Sequence, residues 1–148
     1  MNIEKTEIVK FYHELKVESK FLDLGIQLYV EQKVRDMLSE GGFKREEPLV
    51  RIRKVVLFSI KVTNDQSNIA TVEIHADCVK PTIGKIFVGK VDTLIPHPGL
   101  AILLIEEKVP VFVKQPPESM KVGDFANVKI TNQRFTKGNL KLMGSLDI

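Results

Sequence analysis

The motif closest to a nucleotide-binding loop runs from Gly84 to Val91, with the sequence GKIFVGKV. It fits GxxxxGK, in which backbone amides and the lysine hold phosphates, but Val91 stands where a serine or threonine must bind magnesium. The intervening Ile-Phe-Val is typical of a strand, and no helix pattern follows it. The motif therefore indicates a strand, and we do not expect nucleotide hydrolysis.

Histidine and cysteine are too few and too scattered to predict a metal site. His75 and Cys78 form an H-x-x-C pair, but an odd separation on a strand points their side chains to opposite faces. His13 and His97 lie in other segments, and Cys78 is the single cysteine, so no thiolate site or internal disulfide can form. With no nucleophile motif either, we expect an outward-facing His75, a buried Cys78, no cofactor and no catalytic activity.

The composition is that of a globular protein: 43% of the 148 residues are hydrophobic and 28% are charged. The longest apolar runs, such as 100–105, are far shorter than the roughly 20 residues of a membrane span. The first ten residues lack a signal-peptide pattern. We expect no membrane association and a reducing, intracellular location, either the nucleus or, for a viral protein, the virion and host cytoplasm.

Residues 1–81 have the periodicity of a strand, an amphipathic helix and a long hairpin. Alternation over 11–17 predicts a strand that buries Phe11, Leu15 and Val17. Apolar residues three and four apart predict a helix over 24–40, capped by Asp23 and ended by Gly41-Gly42. The apolar face of this helix is formed by Ile26, Val30, Val34, Met37 and Leu38.

Strict alternation over 50–79 predicts a hairpin with one buried face and a turn at 64–68. The residues expected to face inward are Val50, Ile52, Val56, Phe58, Ile60 and Val62, followed by Ala70, Val72, Ile74, Ala76 and Cys78. Those expected to face outward are Arg51, Arg53, Lys61, Thr71, Glu73, His75 and Asp77.

Residues 82–148 predict five short strands separated by turns rich in glycine and proline. The strands are expected at 85–91, 100–105, 109–113, 125–131 and 139–145. Five strands in about 65 residues is the size of an OB-fold barrel. We therefore expect an α+β protein with a docking domain at 1–81 and an OB-fold β-barrel at 82–148.

The positive charge lies in the second half of the chain. Residues 82–148 hold nine Lys/Arg and six Asp/Glu, whereas residues 1–81 hold thirteen of each. Between Lys108 and Lys141 seven bases accompany only Glu118 and Asp124. This bias favours a polyanionic partner, and an ordinary solvated surface is the alternative.

Aromatic residues next to this charge suggest single-stranded RNA, because such barrels stack bases on aromatic rings and hold phosphates with lysine and arginine. Phe87 and Phe112 have the opposite parity to their aliphatic neighbours, so we expect them to face outward; core packing or a partner interface is the alternative. Phe125 and Phe135 are expected to pack. The candidate RNA-binding residues are Lys85, Phe87, Lys90, Phe112, Lys114, Lys129, Arg134, Lys137 and Lys141.

The order of these parts resembles the stalk subunit family of multisubunit DNA-directed RNA polymerases, which includes the seventh subunit of eukaryotic RNA polymerase II and the archaeal E subunit. The matching stretches are Phe11-Tyr12-His13, Gly89-Lys90-Val91 with Gly99-Leu100, Val122-Gly123-Asp124 with Val128-Lys129-Ile130, and Lys141 to Asp147. The resemblance implies a non-catalytic subunit that docks on the polymerase core, pairs with a small helical subunit and contacts nascent RNA.

Two departures from the family bear on this expectation. The family's tip loop is a long glycine- and proline-rich excursion, whereas here the candidate docking residues form a short turn, Asn64, Asp65, Gln66, Ser67 and Asn68. The segment 100–103 lacks a base-stacking aromatic residue, so RNA contact is expected to rest on charge. The compact form suggests a divergent polymerase, such as that of a large DNA virus. The alternatives are a free-standing RNA-binding protein in translation or RNA turnover, and an adaptor whose barrel no longer binds nucleic acid.

Overall fold

The computed structural model describes residues 3–22, 25–62 and 68–147. The helix α1 (Ile26–Ser39) follows β1 (Glu7–Val17) and a short 3-10 turn (Ser19–Phe21). The remaining strands are β2 (Leu49–Val62), β3 (Asn68–Cys78), β4 (Ile86–Ile95), β5 (Leu100–Ile105), β6 (Val109–Lys114), β7 (Phe125–Thr136) and β8 (Asn139–Leu146). Among the described residues, no helix is long and apolar enough to cross a membrane.

The chain forms two compact units. Residues 7–43 and 51–78 form one, called here the sheet unit, and the described residues of 1–6, 44–50 and 79–148 form the other, called the ring unit. The sheet unit carries α1 and a three-stranded sheet in the order β1-β3-β2. The ring unit carries a five-stranded mixed sheet closed in a ring, so the predicted α+β class is confirmed.

The inner face of the sheet unit follows the predicted alternation in β1 and β3. These strands are antiparallel, from Glu7 opposite Cys78 to Val17 opposite Asn68. Leu15 and Val17 are buried, as are the alternate β3 residues from Ala70 to Cys78. The helix contributes Val30 and Val34, which are fully buried, so its apolar stripe supplies part of the same core.

The helix is shorter than predicted at its start and ends as predicted. Gly25, with a left-handed φ of 70°, precedes the first helical residue, and the proposed cap Asp23 lies outside the described residues. At the other end Gly41 adopts a φ of 73°, and the Gly42 N–H donates to the Met37 carbonyl over 2.7 Å. This pattern is the Schellman ending that a Gly-Gly pair favours.

The prediction that Val56, Phe58, Ile60 and Val62 face inward is wrong. Ile52 is buried, and the next two residues, Arg53 and Lys54, are both exposed. The next buried residue is therefore Val55 rather than residue 54 or 56, and the alternation of buried and exposed positions is shifted by one residue. A shift of this kind is what a β-bulge produces. All residues from 56 onward in β2 that were expected in the core therefore lie on the exposed face.

Asp77 lies on the outward face of β3 as predicted but is only 1% exposed. The Nε of Arg51 donates to one carboxylate oxygen over 2.7 Å, and the Nε of Arg53 donates to the other over 2.8 Å. The hydrogen bond from Arg53, assisted by that from Arg51 and by both positive charges, holds the pKa of Asp77 below its usual value. The two half-exposed arginines thus cover and neutralise a buried charge.

The ring unit has the strand order β4-β5-β6-β8-β7, and β4 pairs with β7 to close it. The β6–β8 pair is parallel and the other pairs are antiparallel. All five predicted strands are present, and β4 and β7 extend further than expected. The interior is filled by apolar side chains at alternate positions, including Phe87, Leu103, Val111, Ile130 and Leu142.

Candidate nucleic-acid interface

The outer surface of β5, β6, β7 and β8 carries positive charge without compensation. The sequences of these four strands contain no aspartate or glutamate. Their bases are Lys114, Lys129, Arg134 and Lys141, all exposed. None of the ion pairs found in the described part of the chain involves them. Such a surface attracts an anionic polymer without requiring a particular sequence.

Strand register determines which of these side chains are neighbours. Arg134 faces Lys141 across the β7–β8 pair, and Lys129 faces Ser145 in the same pair. Phe112 lies opposite Met143 on the parallel neighbour β8. Because outward residues recur every second position, Lys141 and Met143 both share the outer face with Phe112.

A groove of about 510 Å³ lies on the part of this surface formed by β5, β6 and β8. Phe112 is half-buried in its wall, and the Lys141 ammonium lies 5.6 Å from the centroid of the Phe112 ring. The Gln115 side-chain amide donates to the Pro98 carbonyl over 3.3 Å and joins two loops at the rim. The lining residues are Pro98, Gly99, Leu100, Phe112, Lys114, Gln115, Lys141 and Met143.

The groove offers an aromatic ring, apolar walls and two lysines. A flat ring stacks favourably on an aromatic side chain, and its attached phosphates are attracted by ammonium groups. These properties fit a nucleotide of a single strand. Leu100 and Met143 were missed as site residues, because only the parallel β6–β8 pairing brings Met143 beside Phe112.

Phe87 does not belong to this interface, and its prediction as an outward stacking residue is wrong. It is 2% exposed and packs in the interior of the ring. Gly89, two residues on, also points inward, where an added Cβ would lie 3.0 Å from the Leu103 Cβ. The odd positions from Phe87 to Val91 therefore point into the core, and Ile86 and Val88 face out instead.

The remaining aromatic predictions also change. Phe125, expected to pack, is 71% exposed, and the Lys90 ammonium lies 5.8 Å from its ring centroid. Phe125 and Lys90 face each other across the β4–β7 pair. Phe135, also expected to pack, keeps 37% of its surface exposed. Phe125 is thus the exposed residue and Phe87 the buried one, the reverse of the prediction.

Of the seven candidate bases, Lys114 and Lys141 line the groove and the other five do not. Lys85 lines a second depression of about 480 Å³ together with Phe135 and two acids, Glu46 and Glu47, so its charge is partly balanced. Lys137 lies in the turn between β7 and β8, with a left-handed φ of 52°. Among the candidates, Phe112, Lys114 and Lys141 thus share the groove, and Arg134 faces Lys141 across the β7–β8 pair.

The docking candidates are only partly described. Asn64, Asp65, Gln66 and Ser67 lie outside the described residues. Asn68 is 1% exposed, and its side-chain amide donates to the Val17 carbonyl over 3.2 Å and to the Ser19 hydroxyl over 3.1 Å. Within the chain its side chain satisfies buried polar groups, and docking through Asn68 stays a prediction.

The weak motifs have structural explanations. Gly84 to Val91 leads into β4, and Cys78 is fully buried. His75 pairs with Glu73, and this hydrogen bond lowers the pKa of Glu73. Within residues 3–22, 25–62 and 68–147, no group of three or more His, Cys, Asp or Glu side chains is placed to hold a metal.

Comparison with known proteins relates the chain to a viral protein. No protein-family model matches the chain. The chain is 32% identical over 142 residues to a protein of Invertebrate iridescent virus 6 named Uncharacterized protein 250L, and the match covers 95% of this chain and 97% of that protein. Because the similarity extends over nearly the full length of both, the chain belongs to the same family as the iridescent virus protein 250L.

Proposed function

We propose that this protein is a non-catalytic stalk subunit of a DNA-directed RNA polymerase. The sheet unit docks on core subunits, beside a small helical partner subunit, and the ring unit contacts nascent single-stranded RNA. The observation that carries the RNA contact is the acid-free outer surface of β5 to β8, with Phe112 between Lys114 and Lys141.

The proposal includes an OB-fold barrel as the architecture of the ring unit. In support, five strands close in the order β4-β5-β6-β8-β7, so the last two are exchanged relative to a simple meander. OB-folds bind oligonucleotides on the face of their second and third strands. Here those strands are β5 and β6, which carry Leu100, Phe112 and Lys114 of the groove.

Docking through the sheet unit is supported by apolar side chains that β1 leaves in solvent. Ile8 is 63% exposed and Tyr12 is 59% exposed. Exposed apolar groups of this kind are typical of protein–protein contacts. A relative in an iridescent virus favours a viral polymerase over a cellular one.

The test is affinity purification of the polymerase from cells that contain this protein. We expect the full chain to be recovered in stoichiometric amount with the catalytic subunits. Its absence from the purified polymerase would contradict the proposal. Recovery with RNA but without polymerase would instead support a free-standing RNA-binding protein.

A second measurement separates RNA binding from an adaptor role. Reversing three charges, Lys114→Glu, Lys129→Glu and Lys137→Glu, is expected to weaken RNA binding and flatten its salt dependence. Matched reversals on the sheet unit, Lys54→Glu and Lys16→Glu, are expected to leave both unchanged. Unchanged RNA binding in the triple variant would mean that the basic surface is only solvated.

A further inference from the structure

A depression of about 590 Å³, called here the β7 depression, adjoins the groove on the outer surface of the ring unit. Its lining and that of the groove have Lys114, Gln115 and Met143 in common, so the two form one continuous surface. The groove supplies an aromatic ring, whereas the β7 depression adds three side chains with hydrogen-bonding groups. These are Thr131, Asn132 and Ser145.

A bulge in β7 brings two of these side chains to the same depression. Ile130 pairs with Gly144 and Asn132 pairs with Met143, so Thr131 is an extra residue between the two pairs. Thr131 and Asn132 are both exposed, whereas Ile130 is buried. Bulges are frequent beside functional sites, where they redirect side chains. Here the bulge presents a hydroxyl and an amide at consecutive positions.

The hydrogen-bonding groups of the β7 depression are accessible to a ligand. Thr131, Asn132 and Ser145 are exposed, and none of the side-chain hydrogen bonds found among the described residues involves them. An asparagine amide offers N–H donors and a carbonyl acceptor, and a hydroxyl both donates and accepts. The depression can therefore recognise a group that carries a donor next to an acceptor.

Strand register places Asn132 in one row with Phe112. Met143 pairs with Phe112 on β6 and with Asn132 on β7. Neighbouring strands are about 4.8 Å apart, so Phe112 and Asn132 lie about 10 Å apart on either side of Met143. Successive bases of a helical strand are only about 3.4 Å apart. Adjacent nucleotides that engage both residues are therefore splayed, as in the single strands whose base edges proteins read.

We propose that the β7 depression is a subsite for the base next to the one on Phe112, and that Asn132 reads the Watson–Crick edge of this base. For a uracil, the amide oxygen of Asn132 accepts from N3–H and the amide nitrogen donates to O4. The inference rests on the proposed RNA contact of the ring unit. It adds a base held by hydrogen bonds to a contact otherwise made through charge and stacking.

The distribution of charge favours a base at the centre of the β7 depression and phosphates at its rim. Asn132 and Ser145 are neutral. Lys114 lies in the wall shared with the groove, and Lys129 faces Ser145 across the β7–β8 pair. Contacts to phosphates position a strand, whereas contacts to base edges select it. In this arrangement Lys114 contacts the phosphate between the two nucleotides, and Lys129 contacts the phosphate beyond the second base.

Two matched probes test the subsite with the full chain. One is a labelled oligouridylate of about 12 nucleotides, and the other is the same oligomer built from N3-methyluridine. The methyl group removes the N3–H but leaves the phosphates and the ring face. By fluorescence anisotropy we expect the native chain to bind oligouridylate about fivefold more tightly than the methylated probe, since a net hydrogen bond contributes on this scale.

The variant Asn132→Leu, which has a similar shape and no amide, is expected to lose this discrimination. It should bind both probes with the affinity that the native chain has for the methylated one, which also shows that the variant still holds the strand. Phe112→Ala should weaken the binding of both probes by the same factor, because stacking does not use the N3–H. The matched control is Gln133→Leu, which removes the neighbouring amide at a different depression and should keep the native discrimination.

The possible failures can be told apart. Equal affinity of the native chain for the two probes would overturn the subsite and leave the proposed RNA contact in place. The same holds if Asn132→Leu weakens the binding of both probes equally, because the amide would then contact phosphate or ribose. A native chain that binds neither probe would contradict the RNA contact itself, and the subsite with it.

Discussion

Lys141 holds its ammonium 5.6 Å from the centroid of the Phe112 ring, and the two residues lie on strands that pair in parallel. A cation near an aromatic face is attracted by the ring electrons. The contact fixes Lys141 beside the groove without using a carboxylate, so its charge stays available to a phosphate. Lys90 and Phe125 make a similar pair, at 5.8 Å, on β4 and β7.

Truncation of the aromatic ring in the groove is expected to weaken RNA binding. Phe112→Ala removes a stacking surface, which is worth about 1–3 kcal/mol for each base, so we expect the dissociation constant to rise about tenfold. Fluorescence anisotropy with a labelled oligouridylate of about 12 nucleotides measures it. Phe125→Ala is the matched control, because it removes a ring with the same kind of lysine contact outside the groove. An equal loss in both variants would contradict stacking at Phe112.

Neutralising the two groove lysines is expected to reduce the salt dependence of binding. Each phosphate contact to a single strand contributes about 0.7 to the slope of log K against log salt. The double variant Lys114→Gln, Lys141→Gln should therefore flatten the slope by about 1.4 if each lysine holds one phosphate. Titrations at several salt concentrations measure the slope, with Lys54→Gln on the sheet unit as the control. An unchanged slope would place the RNA elsewhere.

Elements that depend on local pattern could be predicted from the sequence. The helix, the strands β1 and β3 and the five strands of the ring unit follow from periodicity and turn residues. The parity of β2 beyond Ile52 could not be predicted, because the exposed Arg53 and Lys54 shift the alternation without any glycine or proline to mark the change. A local shift in alternation, such as a β-bulge produces, depends on the neighbouring strand and helix.

The sequence predicted the basic character of the candidate site correctly, but it did not identify which aromatic residues are exposed. The bases of β6 to β8 were identified, but Phe87 and Phe125 were exchanged between core and surface. Parity within a short strand does not say which set faces inward, since Ile86 and Val88 are as apolar as Phe87 and Val91. Which set of residues faces the interior depends on packing across the ring, such as the close approach of Gly89 to Leu103.

A side chain at Gly144 is expected to destabilise the ring unit. An added Cβ would lie 2.6 Å from Val128 Cγ2 and 2.9 Å from both the Lys129 carbonyl oxygen and Val111 Cγ1. Gly144→Ala should therefore cost about 1–3 kcal/mol, the usual range for overpacking. Urea unfolding followed by circular dichroism measures it. Ser145→Ala, at the exposed neighbouring position, is the control, and an equal midpoint for both variants would mean that β6, β7 and β8 pack less tightly than described.

Replacing Asp77 is expected to remove a stabilisation that depends on pH. Its folded pKa is lowered by the hydrogen bonds from Arg53 and Arg51, so the carboxylate stabilises the fold above its unfolded pKa of about 4. Protonation removes that contribution as the pH falls through the lower, folded pKa. Because both arginines are half-exposed, Asp77→Asn should cost about 1–2 kcal/mol at pH 7, near the lower end for hydrogen bonds to charged groups.

Urea unfolding at a series of pH values compares the native chain with Asp77→Asn. The native protein should be more stable near neutrality, and the difference between the two free energies of unfolding should shrink steadily below pH of about 4. Glu118→Gln, which changes an exposed carboxylate, should follow the native curve throughout. A difference that stays constant from neutral to acid pH would show that the variant acts through packing rather than through the charge that Arg51 and Arg53 neutralise.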